Sequence, residues 1–341
     1  MQEKTAVIPQ SLGQNLSLDT VQPRLEALPP HSAHLIEPNL KDLLNYKMGY
    51  HLEGLAEHSA RALKSDTGLF MNWCIEHQYC AVPAHPLTVR LYLWQQAPHK
   101  APNTLSRYLA SINQLHKLVE RPKPSDAPEV QAAMKLIRAE SQYVEQQAVP
   151  ARYAQIDTLS HLIDAERPQD VRDYALLLVA HSTLLRRSEL SRITVEDLDC
   201  PAEEADGLIQ VAKIKGKKGT RETYHAYLSP PARTWLLRWL AMGGIQQGPV
   251  FRSVTKYGTL RMTHLDGEGV RNALNRLGQK IGASFTGHSA RVGAAQDMVA
   301  QGIETSQAMQ AGRWQDHKTF MRYVARLQAK DGGMAQFFKR C

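Results

Sequence analysis

At 341 residues the chain is long enough for two separate cores. It is 43% hydrophobic and 22% charged, ordinary for globular protein, and it contains no run of 18 apolar residues that would span a membrane. A formal net charge of +8 and a pI near 9.3 favour a polyanionic partner.

Residues 1–38 carry a net charge of −2, which leaves +10 on the remainder. With Pro9, Pro23, Pro29, Pro30 and Pro38 and no apolar period, they read as a flexible arm, and they lack the basic start and apolar core of a signal peptide. From Leu40 to about Arg138 the pattern is helical. Leu55, Leu63, Leu69, Phe70 and Trp73 recur at helix-like spacing, and Pro83 and Pro86 punctuate before Leu87–Leu93. Between Thr104 and Val119, Leu105, Leu109, Ile112, Leu115 and Leu118 form an apolar stripe, with Asn103, Arg107, Gln114 and Lys117 on the opposite side. One more helix, from about Ala127 to Ala139, completes a domain of four or five helices over residues 39–141.

Residues 142–152 are polar, aperiodic and broken by Pro150, which makes them a linker. A second domain, 153–341, opens with helices, among them the almost wholly apolar Val171–Ser182. Leu208–Lys213 and Thr223–Leu228 read as the strands of a hairpin, with Lys215-Gly-Lys-Lys-Gly219 in its turn. The expected fold is mainly α with a small antiparallel sheet in the second domain.

Cys74, Cys80, Cys200 and Cys341 form no C-x-x-C pair and suggest no disulfide framework, as suits a reducing cytosol. Cys74, His77 and Cys80 make three close metal-type ligands with no fourth at suitable spacing, so buried cysteines at a helix end are expected instead. No H-E-x-x-H, Walker or G-x-G-x-x-G motif is present.

The chemistry concentrates in Thr286-Gly-His-Ser-Ala-Arg-Val-Gly293. A helix starting at Ser289 would present free N–H groups and a partial positive charge, with His288 and Arg291 facing the same way from its first turn. That is a phosphate cradle, and Tyr323 downstream is a candidate nucleophile. Upstream, Arg186 follows an apolar segment, and Glu189 one turn later could hold it in place. The turn lysines Lys213, Lys215, Lys217 and Lys218 could supply a proton donor or simply meet a phosphate backbone.

Together, Leu184-Leu-Arg-Arg-Ser-Glu-Leu190, Gly287-His-Ser-Ala-Arg-Val-Gly-Ala-Ala295, Met309-Gln-Ala-Gly-Arg-Trp314 and Met321-Arg-Tyr323 resemble the tyrosine site-specific recombinases of the phage integrase family, in their Cre-like branch. The likeness extends more loosely over residues 57–340. It implies a two-domain, C-shaped DNA clamp that acts without cofactor or metal. Arg186 and Arg291 would grip the scissile phosphate, His288 would bond it and help accept a proton, and Tyr323 would form a 3′-phosphotyrosyl link. Lys215 would be the general acid, with Lys217 the alternative if the turn shifts by two residues. Glu189 would orient the site. Trp314 stands where most of the family has histidine; its indole N–H can bond phosphate but cannot shuttle protons.

The resemblance further implies double-stranded DNA with inverted-repeat sites and a homotetramer on two sites. A C-terminal helix, about 332–341, would dock into a neighbouring protomer, and the protein would be cytoplasmic and encoded by a bacterium, phage or plasmid. Asn103, Arg107 and Lys117, with Glu268 and Arg271, are the expected DNA contacts. Two competing readings are a type IB topoisomerase and a catalytically silent DNA-binding protein.

Overall fold

Prolines set the helix starts. In the computed structural model, which describes residues 29–143, 147–212, 223–255, 257–324 and 333–340, the first unit holds α1 (Pro38–Glu53), α2 (Glu57–Glu76), α3 (Pro86–Gln96), α4 (Pro102–Leu118) and α5 (Pro128–Glu140). Four of these open on proline, whose fixed φ suits the first helical position and whose missing N–H is not needed there. The chain divides into two compact units, Met1–Glu145 and Gln146–Cys341.

The core of the first unit joins Phe70, Trp73 and Cys74 of α2 to Val89, Tyr92 and Leu93 of α3, Leu105, Ile112 and Leu115 of α4, and Val130, Met134 and Ile137 of α5. The stripe read on α4 is thus its buried face. Buried His116 accepts from the Ala84 amide through Nε2 (2.8 Å) and lies 2.8 Å from the Ile112 carbonyl through Nδ1. Burial holds its pKa below the ordinary value. Residues 29–37, expected to close the flexible arm, instead lie along this unit. Ser32 N donates to Gln78 O (2.8 Å), Ala81 N to Leu35 O (2.7 Å) and Glu37 N to Val82 O (2.9 Å). Main-chain pairing, which leaves no trace in side-chain periodicity, fixes this strap.

In the second unit α6 (Tyr153–Ser160) precedes α7 (Pro168–Thr183), the core helix, buried from Asp170 to Ala180. Its charges are matched internally. Arg172 pairs with Asp173 at 2.6 Å, and Arg276 also reaches Asp173 at 2.8 Å. Lys280 reaches Asp170 at 2.8 Å. Beyond the short α8 (Arg187–Leu190), strands β1 (Leu198–Asp199), β2 (Gly207–Ala212) and β3 (Thr223–Leu228) form an antiparallel sheet of order β1-β2-β3. The expected hairpin is the β2–β3 pair, in register from Gly207–Leu228 to Ala212–Thr223. Its turn, with Lys213, Lys215, Lys217 and Lys218, lies outside the described residues.

Next come α9 (Pro230–Gly243), a second antiparallel pair of β4 (Arg252–Val254) and β5 (Leu260–His264), and α10 (Gly267–Lys280). Then follow α11 (Ser289–Ala300), α12 (Thr305–Gly312), α13 (His317–Val324) and α14 (Gly333–Arg340). The main core of the unit gathers α7, β2, β3, α9 and α10. A smaller cluster of Leu184, Ala294, Ala295, Ala308, Trp314, Phe320 and Val324 lies under the end of α7. No helix among the described residues is long and apolar enough to cross a membrane.

Candidate active site

The site is built where α7 ends. Leu184 takes a left-handed conformation (φ +50°) and stops the helix, leaving its last carbonyls without intrahelical partners. Guanidinium groups satisfy them. Arg291 donates through Nη1 to the Leu184 carbonyl and through Nη2 to the Gly312 carbonyl (3.0 Å). Arg313 donates to Leu184 (3.1 Å) and Thr183 (3.4 Å). Cations at a helix C-terminus also meet the negative end of its dipole.

Arg291 is only 2% exposed, and its Nε–H finds no protein acceptor. Its guanidinium carbon lies 4.8 Å from the centre of the Trp314 ring and 6.0 Å from that of Tyr323. Burial pushes its pKa down, Tyr323 acts against that shift, and Arg186 and Arg313 reinforce it. Arginine nevertheless stays charged in protein. A buried cation with an unused donor is poised for an anionic, acceptor-rich ligand.

Arg186 heads α8. Its amide donates to Glu189 Oε2 (2.7 Å) and its Nη1 to Oε1 (3.0 Å), which leaves the side chain 45% exposed while Glu189 is nearly buried. His288 is the residue just before α11, so α11 starts where the sequence places it, with Arg291 in its first turn. His288 remains accessible to solvent. Protein packed around its imidazole, and then Arg291, Arg187 and Arg186, hold its pKa below the ordinary value.

Trp314 packs edge-on to Phe320 (5.1 Å) and Tyr323 (5.0 Å) and is 7% exposed, so it belongs to the small core as well as to the site. Its indole N–H also lacks a partner. The approach is so close that a Cβ on Gly312 would meet the Trp314 ring at 1.8 Å. Tyr323 is partly buried on α13. Its carbonyl accepts from Gln147 (2.8 Å) and Gln296 (3.2 Å), which fixes the backbone behind the ring.

The structure thus brings Arg186, Glu189, His288, Arg291, Trp314 and Tyr323 together, while Lys215 lies outside the described residues. Two neighbours went unread in the sequence, Arg313 and Tyr224. Tyr224 lies on β3 under the Arg313 guanidinium (4.2 Å to the ring centre). Burial raises its pKa to about 12; Arg313 pulls against this and Glu189 adds to it. Arg313 stood in a quoted motif, but nothing in residue type shows that its side chain turns inward.

The expected DNA contacts are accessible but not all unpaired. Asn103 and Lys117 are exposed on α4. Arg107 is engaged, its Nη1 donating to both oxygens of buried Asp66 (2.7 and 2.9 Å). On α10, Arg271 donates to Glu268 Oε1 (2.9 Å through Nε). Among the described residues no group of three or more His, Cys, Asp or Glu could hold a metal ion.

Residues 152–330 match the model of the phage integrase family. The chain is 31% identical over 349 residues to the recombinase Cre of Escherichia phage P1, covering 95% of this chain and 98% of that one. An integrase/recombinase XerD homolog of Selenomonas ruminantium is 29% identical over 280 residues, covering 79% and 82% of the two chains. Among solved structures, the Tn1549 transposon integrase in complex with circular intermediate DNA shares the fold, with a TM-score of 0.57, 12% identity and coverage of 87% and 98%. With these likenesses added to the geometry, the chain belongs to the phage integrase family and is a tyrosine recombinase, an enzyme that cleaves and rejoins DNA strands.

Proposed function

We propose that Arg186 and Arg291 bind the two non-bridging oxygens of the scissile phosphate, and that Tyr323 attacks the phosphorus. The observation that supports this most is Arg291, a buried guanidinium with an unused N–H beside the Tyr323 ring. As the Tyr323 oxygen bonds to phosphorus, the bond to the 5′-oxygen breaks and a 3′-phosphotyrosyl ester remains. Neutral His288 accepts the tyrosine proton, and the departing 5′-oxygen takes a proton from Lys215 of the β2–β3 turn. One phosphodiester replaces another, so rejoining by the reverse path needs no outside energy. The two arginines count most as negative charge grows on the pentacoordinate phosphorus. Trp314 donates its free N–H to the phosphate, and Glu189 holds Arg186.

On this reading residues 39–141 bind DNA, 142–152 link, and 153–341 carry catalysis. The substrate is a pair of inverted-repeat sites held by four protomers. Asn103, Lys117 and the α10 residues Glu268 and Arg271 would face DNA. Arg107 can reach a base only by sharing or leaving Asp66. Helix α14 exposes Met334, Phe337 and Phe338, an apolar face suited to docking on a second protomer in a cyclic contact.

Selection of cleaved duplexes from a random inverted-repeat library by covalent capture tests the reading. We expect capture that persists in excess EDTA and disappears in Tyr323→Phe while DNA binding remains. Undiminished adduct in Tyr323→Phe would remove the nucleophile assignment.

A further inference from the structure

Arg313 stands outside the set given roles above, and its backbone is unusual for its residue type. It closes α12 at φ +56°, ψ +43°, the left-handed region where glycine or asparagine is the ordinary occupant. A strained arginine would be unremarkable if its side chain ran out to solvent. It does not: the side chain is 20% exposed, lies over the Tyr224 ring and leaves a buried Nε–H unused.

Its contacts join the two halves of the site. On one side it shares the Leu184 carbonyl with Arg291. On the other its Nη2 lies 3.7 Å from Glu189 Oε2, the oxygen that also accepts from the Arg186 amide. Glu189 is nearly buried and has two cations within reach, Arg186 at 3.0 Å and Arg313 at 3.7 Å. With Arg186 alone, the carboxylate would neutralise most of that guanidinium's charge at short range. Arg313 gives the carboxylate a second cationic anchor, and the cluster of two guanidiniums and one carboxylate carries net positive charge toward a phosphate.

We propose that Arg313 is a positioning residue for strand cleavage. It shares Glu189 with Arg186, and by anchoring that carboxylate it keeps the Arg186 guanidinium aimed at the scissile phosphate. The proposal rests on the reading of Arg186 and Arg291 as phosphate ligands.

The test uses the full chain and the duplex recovered by Tyr323-dependent capture. Adduct formation is followed in single turnover at saturating DNA, with DNA affinity and thermal stability measured alongside. Arg313→Gly suits the left-handed backbone and removes only the side chain. We expect unchanged affinity and only a small shift in melting temperature, since Arg291 still serves the Leu184 carbonyl and glycine relieves the left-handed backbone, with cleavage slowed ~10- to 100-fold, the scale of a misplaced catalytic group. In a Glu189→Gln background, where there is no carboxylate charge to share, the same change should cost about threefold or less, since the two residues act through one interaction. Arg313→Lys, which restores a cation without the fork, should recover part of the rate and serves if the glycine variant does not fold.

Wild-type cleavage by Arg313→Gly overturns the proposal. So does equal slowing in both backgrounds, or a loss confined to affinity, which would make Arg313 a DNA contact. Absence of adduct from the unaltered chain, or its persistence in Tyr323→Phe, would remove the underlying reading and the proposal with it.

Discussion

On the proposed reading, His288 is a base whose surroundings keep it neutral. Surrounding protein and three arginines disfavour a further positive charge, so the imidazole is neutral to a lower pH than an ordinary histidine, about 6.5. Only the neutral ring can accept the Tyr323 proton. Cleavage should therefore hold at neutral pH and fall as pH drops through this lowered value, and a pH–rate profile in single turnover would show the acid limb displaced below 6.5 or so. The limb should vanish in His288→Gln, with a lower plateau; an unchanged limb would assign it to another group. The residues of the cradle were legible because their spacing is local: His288 and Arg291 lie three apart, as do Arg186 and Glu189. Arg313 was not, since the sign of φ and the inward turn of a side chain depend on what surrounds the chain. Arg107 shows the opposite failure, for its place on the polar side of α4 gave no hint of Asp66, 41 residues earlier.

At the scale of elements, α7 supports both the arginine cluster and α10. Its buried pair Arg172–Asp173 also receives Arg276 of α10, and Arg172 donates onward to the Arg252 carbonyl (3.1 Å). Removing one member leaves the other charged and unpaired in the core. Asp173→Ala should destabilise the second unit by about 3–5 kcal/mol, read by chemical denaturation; a loss below about 1 kcal/mol would mean that water replaces the carboxylate. Helix positions were largely readable, because prolines mark the starts and α4 carries a clean stripe. The β2–β3 pairing was readable for its alternation, since β2 buries every second residue. The β4–β5 pair was not. Positions 261–264 of β5 are exposed, so no period-two signal exists, and the pairing is made by main chain.

For the whole molecule the relevant facts are two separate hydrophobic cores and an excess of positive charge. DNA affinity should fall steeply with salt, by ~10³-fold or more between about 50 and about 200 mM, as counterions compete for the phosphates. Titration of fluorescent duplex at several salt concentrations measures the slope, and a flat response would contradict backbone-dominated binding. The two-unit division suited a sequence with a polar, proline-broken stretch at 142–152, whereas the strap at 29–37 was hidden by its lack of pattern. The anchoring of Arg291 has an evolutionary corollary. Its acceptors are the carbonyls of Leu184 and Gly312, which every amino acid possesses, so drift at position 184 can change the side chain without deleting the acceptor. Alanine at position 184 would therefore understate how much that anchor matters. Its vulnerability is to changes of chain length: one residue inserted or lost near 184 or 312 would carry the carbonyl out of reach, so lineages of this enzyme should tolerate substitution at 184 better than indels, while 312 stays glycine because any Cβ there would meet the Trp314 ring.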